Sequence, residues 1–300
     1  MEEIQQSERS DSGLNAVVMR AQSATGDLRL HEFRSRIFRN TRFLRVWLPP
    51  EYDDPVNADR RYPVLYLNDG QNLFDPLTSF IPGRTWQMRE HADAEVLAGR
   101  VEPLIIVGIH NAGARRLAEY THTPDWKMGG GEAEAYGKLL VRELLPFINI
   151  HYRTLREPSQ TGMGGSSLGG LVTLYLGLKF AETFGKLAVL SPSVWWNHKS
   201  IVGYLNEAAQ RRHLRPQIWL DVGDGEGKRT LEDAELLHRR LVANGWQAGK
   251  NLHFECVPGG THDESAWARR VAPMLRFLFP AQNGEAVGPG VAETCDFGNT

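Results

Sequence analysis

The chain has 300 residues, of which 41% are hydrophobic and 23% charged, with 30 glycines and 16 prolines; these are the proportions of one sizeable globular domain, not of a fibrous, collagen-like or wholly disordered chain. Its 34 Lys and Arg against 36 Asp and Glu leave a net charge of −2, too even a balance to call for a nucleic acid or an anionic membrane as partner. The two cysteines, Cys256 and Cys295, supply neither a disulfide framework nor zinc-ligand spacing, which suits a reducing compartment.

In chain order, residues 1–26 are polar without a strong period, and the opening MEEIQQSERSDSG has neither the apolar core nor the cleavage site of a signal peptide. This segment is expected as a loosely ordered end, and the cytoplasm as the location. No apolar run approaches the ~20 residues that span a bilayer. From 27 to 280 no repeat or long linker interrupts the chain, so one domain is expected there. Apolar runs at 43–48, 63–67, 104–109, 161–164, 187–190, 217–222 and 252–257 predict strands, several apolar throughout, as strands covered on both faces are. Stretches at 132–150, 168–180, 201–211, 229–244 and 266–279 predict helices, with Asn244-Gly245 as a stop signal. The Gly-rich segment 281–300 is expected as a flexible tail. Strand and helix in alternation specify an α/β fold: a mostly parallel central sheet with helices on both faces. Active sites in such sheets gather beyond the carboxyl ends of the strands.

One of those strand ends carries Gly165-Ser166-Ser167-Leu168-Gly169-Gly170. This is G-x-S-x-G between a short strand and an apolar helix, the pattern that lifts a serine hydroxyl above a sheet on a sharp turn. Flanking side chains would collide with neighbouring elements, which accounts for glycine two residues either way. The same turn aims the Leu168 N–H and the helix N-terminus at the place where an oxyanion would form. A phosphate-binding loop is the competing reading. The dinucleotide fingerprint G-x-G-x-x-G fails, because counting from Gly162 its third glycine position holds Ser167, and no Walker lysine follows.

A serine hydroxyl needs a base, and among ten histidines His262 has the right placement. It follows the last predicted strand and lies 262 − 167 = 95 residues after Ser167, in the order nucleophile, acid, histidine of α/β-hydrolases. His110 and His122 precede the serine and break that order. The acid belongs in the turn after the strand at 217–222, where Gly223-Asp224-Gly225-Glu226-Gly227 offers Asp224 and Glu226.

With these pieces in this order the chain resembles the esterase family of α/β-hydrolases that includes siderophore (enterochelin) esterases, feruloyl esterases, S-formylglutathione hydrolases and mycolyltransferases. The resemblance covers most of 28–279. It is carried by Tyr62 to Asp75 (YPVLYLNDGQNLFD), Arg116 with Glu119-Tyr120-Thr121, the Ser167 turn, Leu190 to Trp196 (LSPSVWW), Asp221-Val222-Gly223 with Glu226-Gly227, and His262-Asp263-Glu264 with Trp267. It implies Ser167 as nucleophile, His262 as base and the Gln71 N–H as a second oxyanion donor. It favours Glu226 as the acid, three residues after the strand-ending glycine, although Asp224 stands where the family more often has threonine and keeps the assignment open. Arg116, Trp195, Trp196 and Tyr120 are the expected substrate contacts.

These readings predict a serine esterase that needs no metal or cofactor and acts through an acyl-enzyme on a small, aromatic or siderophore-like ester. Two alternatives use the same residues: an acyltransferase that passes the acyl group to an alcohol, and a non-catalytic binding module on the hydrolase fold.

Overall fold

The structure, a computed structural model, describes residues 18–20, 27–211 and 214–281. Its elements in chain order are β1 (Val18–Arg20), β2 (Asp27–Arg34), β3 (Thr41–Leu48), β4 (Val64–Asn68), α1 (Met88–Leu97), β5 (Ile105–Ile109), α2 (Arg116–Glu119), the short strands β6 (Pro124–Asp125) and β7 (Gly129–Gly130), α3 (Ala133–Leu139), α4 (Leu145–His151), β8 (Thr161–Ser166), α5 (Leu168–Lys179), β9 (Lys186–Leu190), α6 (Trp196–Arg211), β10 (Gln217–Gly223), α7 (Lys228–Ala243), β11 (Leu252–Val257) and α8 (Glu264–Leu278).

Nine strands form one sheet in the order β1-β2-β3-β5-β4-β8-β9-β10-β11. The pairs from β1 to β5 are antiparallel, and those from β5 through β4 to β11 are parallel. β4 shows why its sequence VLYLN has no polar face. Val64 and Tyr66 pack with Tyr136, Leu140 and Leu171 in one cluster, whereas Leu65 and Leu67 pack with Met88, Trp267, Val271 and Leu275 in another. Successive side chains point to opposite faces of a strand, so a sheet covered by α3 to α7 on one side and by α1 and α8 on the other demands apolar residues at every position. The chain thus has the α/β architecture expected from its alternation of elements.

Three departures have physical causes. The single helix expected over 132–150 is α3, a wider π-turn over Leu140–Leu144, and α4, which has a proline in its first turn. Pro146 lacks an N–H and its ring crowds the carbonyl four residues back, which the wider turn accommodates. β2 (DLRLHEFR) and α1 (MREHADAEVL) lack the apolar density by which the others are recognised. In α1 only Met88, Ala92 and Glu95 are buried, and Glu95 accepts paired hydrogen bonds from Arg100 and Arg276. β1 lies inside the segment expected as a loose end; the rest of 1–26, like 282–300, is outside the described residues. Cys256 lies on β11, and Cys295 is outside the described residues. Among the described residues no helix is long and apolar enough to cross a membrane.

Burial holds three histidines, His31, His110 and His122, down at about 4. Their unfolded value is higher, so below about pH 6.5 the unfolded chain binds more protons and stability falls, down to the folded value near 4. We expect the thermal midpoint to drop between pH 7 and pH 5, by about 1–2 kcal/mol of stability per histidine, and differential scanning calorimetry checks it. An unchanged midpoint, with secondary structure intact at both pH values, contradicts it.

Candidate active site

Ser167 sits between the last residue of β8 and the first of α5 with φ 60° and ψ −122°, a backbone conformation that costs a non-glycine residue about 1–3 kcal/mol. Its N–H donates to Leu190 O on the adjacent strand (3.0 Å), and its carbonyl accepts from Ser193 N (3.0 Å) and Leu171 N (3.0 Å). A Cβ at Gly165 would stand 2.9 Å from the Gly169 carbonyl carbon, and one at Gly170 2.9 Å from Leu190 O. Glycine is therefore obligatory at both, while Gly169 faces only a tight approach to the Asp69 side chain (3.3 Å). Asn68, at the end of β4, ties the turn to its neighbour by donating to Gly164 O (3.0 Å) and Thr173 Oγ1 (3.1 Å). The Ser167 hydroxyl has Ser193 Oγ as its hydrogen-bond partner, at 3.3 Å.

Beyond β10, a 3-10 turn over Asp224–Glu226 turns the Glu226 carboxyl inward and fully buries it. Its Oε2 meets His262 Nδ1 at 2.7 Å. Its Oε1 accepts from Ser191 Oγ (2.5 Å), Gly223 N (2.8 Å) and Arg270 Nη2 (3.2 Å). Burial alone would push the Glu226 carboxyl up, but the hydrogen bonds from His262, Ser191 and Gly223 outweigh it and hold it below its ordinary value. Asp224 does different work. It is exposed, and its Oδ1 accepts from Gly259 N (2.7 Å), bracing the loop that carries the histidine. Asp263 caps α8 by accepting from Ser265 N and Ala266 N, so His262 is the last residue before the cap and helix. The His262 ring lies edge-on to Trp267, with centroids 5.0 Å apart.

Ser167, Leu168, Ser193, Trp195, Thr230 and His262 line one cleft of about 290 Å³, with Ser191, Pro192 and Glu226 in its wall. A slightly larger cleft, about 330 Å³, is lined by Arg29, Arg61, Arg153, Arg156 and their neighbours; the juxtaposition of a serine hydroxyl with a histidine–carboxylate pair singles out the smaller one. Leu168 is the first residue of α5, where backbone N–H groups lack helical partners. Among the described residues no group of three or more His, Cys, Asp or Glu could hold a metal ion.

The turn after β4 runs Asp69-Gly70-Gln71, and Asp69 has a left-handed backbone (φ 56°). Arg116 donates from Nε and Nη2 to the two Asp69 oxygens (2.7 Å each), and Asn111 Nδ2 adds a third bond at 2.7 Å. Gln71 is in this turn, its Oε1 accepting from Asn111 N (3.2 Å), and it is not among the residues lining the 290 Å³ cleft.

The expected substrate contacts divide accordingly. Trp195 lines the cleft and is 41% exposed. Trp196 is wholly buried, with Nε1 donating to Thr123 O (2.9 Å), and Tyr120 is also wholly buried, its hydroxyl accepting from Asp69 N (3.2 Å). Both expectations are corrected: these two side chains are core, because each uses its polar end on backbone. The Nε and Nη2 of Arg116 are turned to Asp69, so its visible task is to hold the Gln71 turn. Ser193, Ser191 and Arg270 join the site without a sequence signal of their own. The first two belong to the LSPSVWW segment, and Arg270 has no motif to announce it.

The chain matches the Esterase family, described as "Putative esterase", over residues 35–278. Among curated relatives, it is 25% identical to the uncharacterised protein YbbA of Bacillus subtilis, covering 80% of this chain and 93% of that one. It is 29% identical to an iron(III) salmochelin esterase of Escherichia coli over 76% of this chain, and spans 52% of that relative's length. Among solved structures, the BES protein of Bacillus cereus shares the fold with a TM-score of 0.69 at 21% identity, covering 93% and 99% of the two chains. An IroE-like serine hydrolase of Shewanella oneidensis gives a TM-score of 0.67 at 21% identity, covering 84% and 80%.

The two adjacent tryptophans should separate cleanly on truncation. Trp196→Ala should cost about 3–5 kcal/mol of stability, as loss of a fully packed indole does. Trp195→Ala should leave stability within about 0.5 kcal/mol while raising KM for an aryl ester about fivefold. Denaturant melts and steady-state kinetics on both variants check this, and the reverse pattern would contradict the assignment.

Proposed function

Because the chain belongs to the Esterase family, whose membership supports carboxylic-ester hydrolysis, we propose that it is a serine hydrolase working through an acyl-enzyme at Ser167. The observation that carries the reading is the 2.7 Å contact between Glu226 Oε2 and His262 Nδ1 in the wall of the same cleft that Ser167 lines. With the Nδ1 proton donated to Glu226, Nε2 is the ring atom left as base. A turn of the Ser167 hydroxyl away from Ser193 and toward Nε2 starts the reaction. The oxygen attacks the ester carbonyl as its proton passes to His262. The developing oxyanion is met by the Leu168 N–H and by the Gln71 N–H, each such donor being worth roughly 3–4 kcal/mol. His262 then protonates the leaving alcohol, and water repeats the steps on the acyl-enzyme. Glu226, held ionised, stabilises the imidazolium formed on the way.

Geometry favours Glu226 over Asp224 as the acid, since only Glu226 reaches His262. For the substrate we infer a small ester with an aromatic acyl group. An exposed indole in a 290 Å³ cleft supports it, as do relatives described as a salmochelin esterase and a xylanase/feruloyl esterase; the chain spans only 29% of the latter's length.

Ser167→Ala should abolish hydrolysis of p-nitrophenyl esters and labelling by a fluorophosphonate probe while the fold persists. Glu226→Gln should lower kcat about 1,000-fold, and Asp224→Ala no more than about fivefold. Persistence of turnover and labelling in Ser167→Ala would sink the reading, and a larger loss at Asp224 than at Glu226 would reassign the acid.

A further inference from the structure

We propose that Arg270 is the positioning residue of this site: one buried guanidinium sets which oxygen of Glu226 faces His262 and how far apart their two loops stand. The inference rests on the serine-hydrolase reading above. Arg270 lies on α8 with 1% of its side chain exposed. Its Nη1 donates to Asp221 Oδ1 (2.7 Å) and Ser191 Oγ (2.7 Å), and its Nη2 to Glu226 Oε1 (3.2 Å). The network closes on itself. Ser191 Oγ donates to the same Glu226 oxygen (2.5 Å) and accepts from Trp267 Nε1 (3.1 Å), while Trp219 Nε1 donates to the other oxygen of Asp221 (2.7 Å).

As a device for stability this arrangement is poor. One cation serves two buried carboxylates, and Arg270 Nε has no hydrogen-bond partner. Buried ion networks of this kind are often replaceable by well-packed apolar side chains without loss. As a device for orientation it is well made. Oε1 of Glu226 takes three donors from three separate segments: the end of β10, the loop after β9, and α8. That saturates one oxygen and leaves the other for His262. Asp221 occupies Nη1, so Arg270 cannot take both oxygens of Glu226 in a forked pair and pull the carboxylate from the imidazole.

The guanidinium also bounds the histidine loop. A Cβ on Gly260, two residues before His262, would stand 2.7 Å from Arg270 Nη2, and one on Gly223, at the start of the acid turn, 2.1 Å from Gly260 O. The loops bearing Glu226 and His262 thus close on each other against Arg270. The charged and titratable groups facing this cluster are Asp221 from β10, Glu226 from the following turn, His262 from its loop and Arg270 from α8; Ser191, Trp219 and Trp267 complete the wall as neutral donors.

The test is kinetic, on the full chain, normalised to active sites by fluorophosphonate labelling carried to completion. Arg270→Met should lower kcat for p-nitrophenyl acetate 30-fold or more with KM within threefold, and move the acid limb of the kcat/KM profile to higher pH. Arg270→Lys should recover at least a third of the lost kcat. Ser191→Ala removes one donor from Oε1 without leaving a charge unpaired, and should lower kcat five- to tenfold at an unchanged thermal midpoint; it decides the matter if Arg270→Met does not fold. Per-site kcat within twofold of the parent in the folded variants, with the acid limb unmoved, would reduce Arg270 to a structural role and overturn the proposal. A parent protein that is not labelled at Ser167 would instead sink the serine-hydrolase reading, a failure distinct from this one.

Discussion

The backbone of Ser167 is held where a non-glycine residue does not rest by choice, and much of the surrounding sequence follows from that. A φ of 60° with ψ of −122° is the geometry of a chain reversing from strand into helix without a loop. Three hydrogen bonds at Ser167 itself, from its own N–H and to its carbonyl, hold the strain in place. Their partners are Leu190, Ser193 and Leu171, so the turn is locked to β9 on one side and to its own helix on the other. The close approach that makes those bonds leaves no room for a side chain at Gly165 or Gly170. The glycines are a consequence of the packing, and the packing a consequence of the turn.

Strand order then delivers the remaining pieces. Neighbouring strands lie about 4.8 Å apart, and β4, β8, β9, β10 and β11 are consecutive and parallel in the sheet. Each ends on the same edge and hands over one component: the Asp69–Gln71 turn, Ser167, the Ser191–Trp195 segment, Glu226 and His262. Residues scattered over nearly 200 positions of sequence meet because five strand ends meet. Polar side chains near the strand ends satisfy what a dry sheet edge must: Asn68 donates to the Gly164 carbonyl, and Asp221 accepts from Ser191 N and Trp219 Nε1.

What could be read from the residues alone follows the same division between local and tertiary causes. β4, β5 and β9 declare themselves because a doubly covered strand must be apolar almost throughout, and the Ser167 turn because its glycines are local in sequence. β2 and α1 do not, since their burial is partial and α1 settles its one buried acid with arginines from elsewhere. Local sequence leaves Asp224 and Glu226 open, and only the family resemblance leans to Glu226: both sit in one short turn, and the placement of His262 and Gly259 sends one inward and the other to a backbone N–H. Trp195 and Trp196 are neighbours with opposite fates for the same reason. Arg270 sits in an ordinary amphipathic helix, and nothing local distinguishes it from Arg269.

The near-zero net charge conceals a pattern of buried carboxylates, most of them matched to an arginine: Glu119 to Arg42, Asp69 to Arg116, Asp221 and Glu226 to Arg270. Asp233 pairs with Lys199 instead, and Glu264 stands in no ion pair among the described residues. It is 3% exposed, accepts from Asn72 Nδ2 (3.0 Å), and leaves Oε2 without a hydrogen-bond partner. Burial pushes its carboxyl up, and the nearby Asp263 and Asp69 add to the shift. Asn72 closes the turn that contains Gln71, and Glu264 stands two residues beyond His262, so this bond joins the Gln71 turn to the histidine loop. Under the proposed reaction, a fixed negative charge beside the Gln71 turn would oppose the oxyanion charge. A carboxyl biased by its surroundings toward the neutral form links the two loops at much lower electrostatic cost.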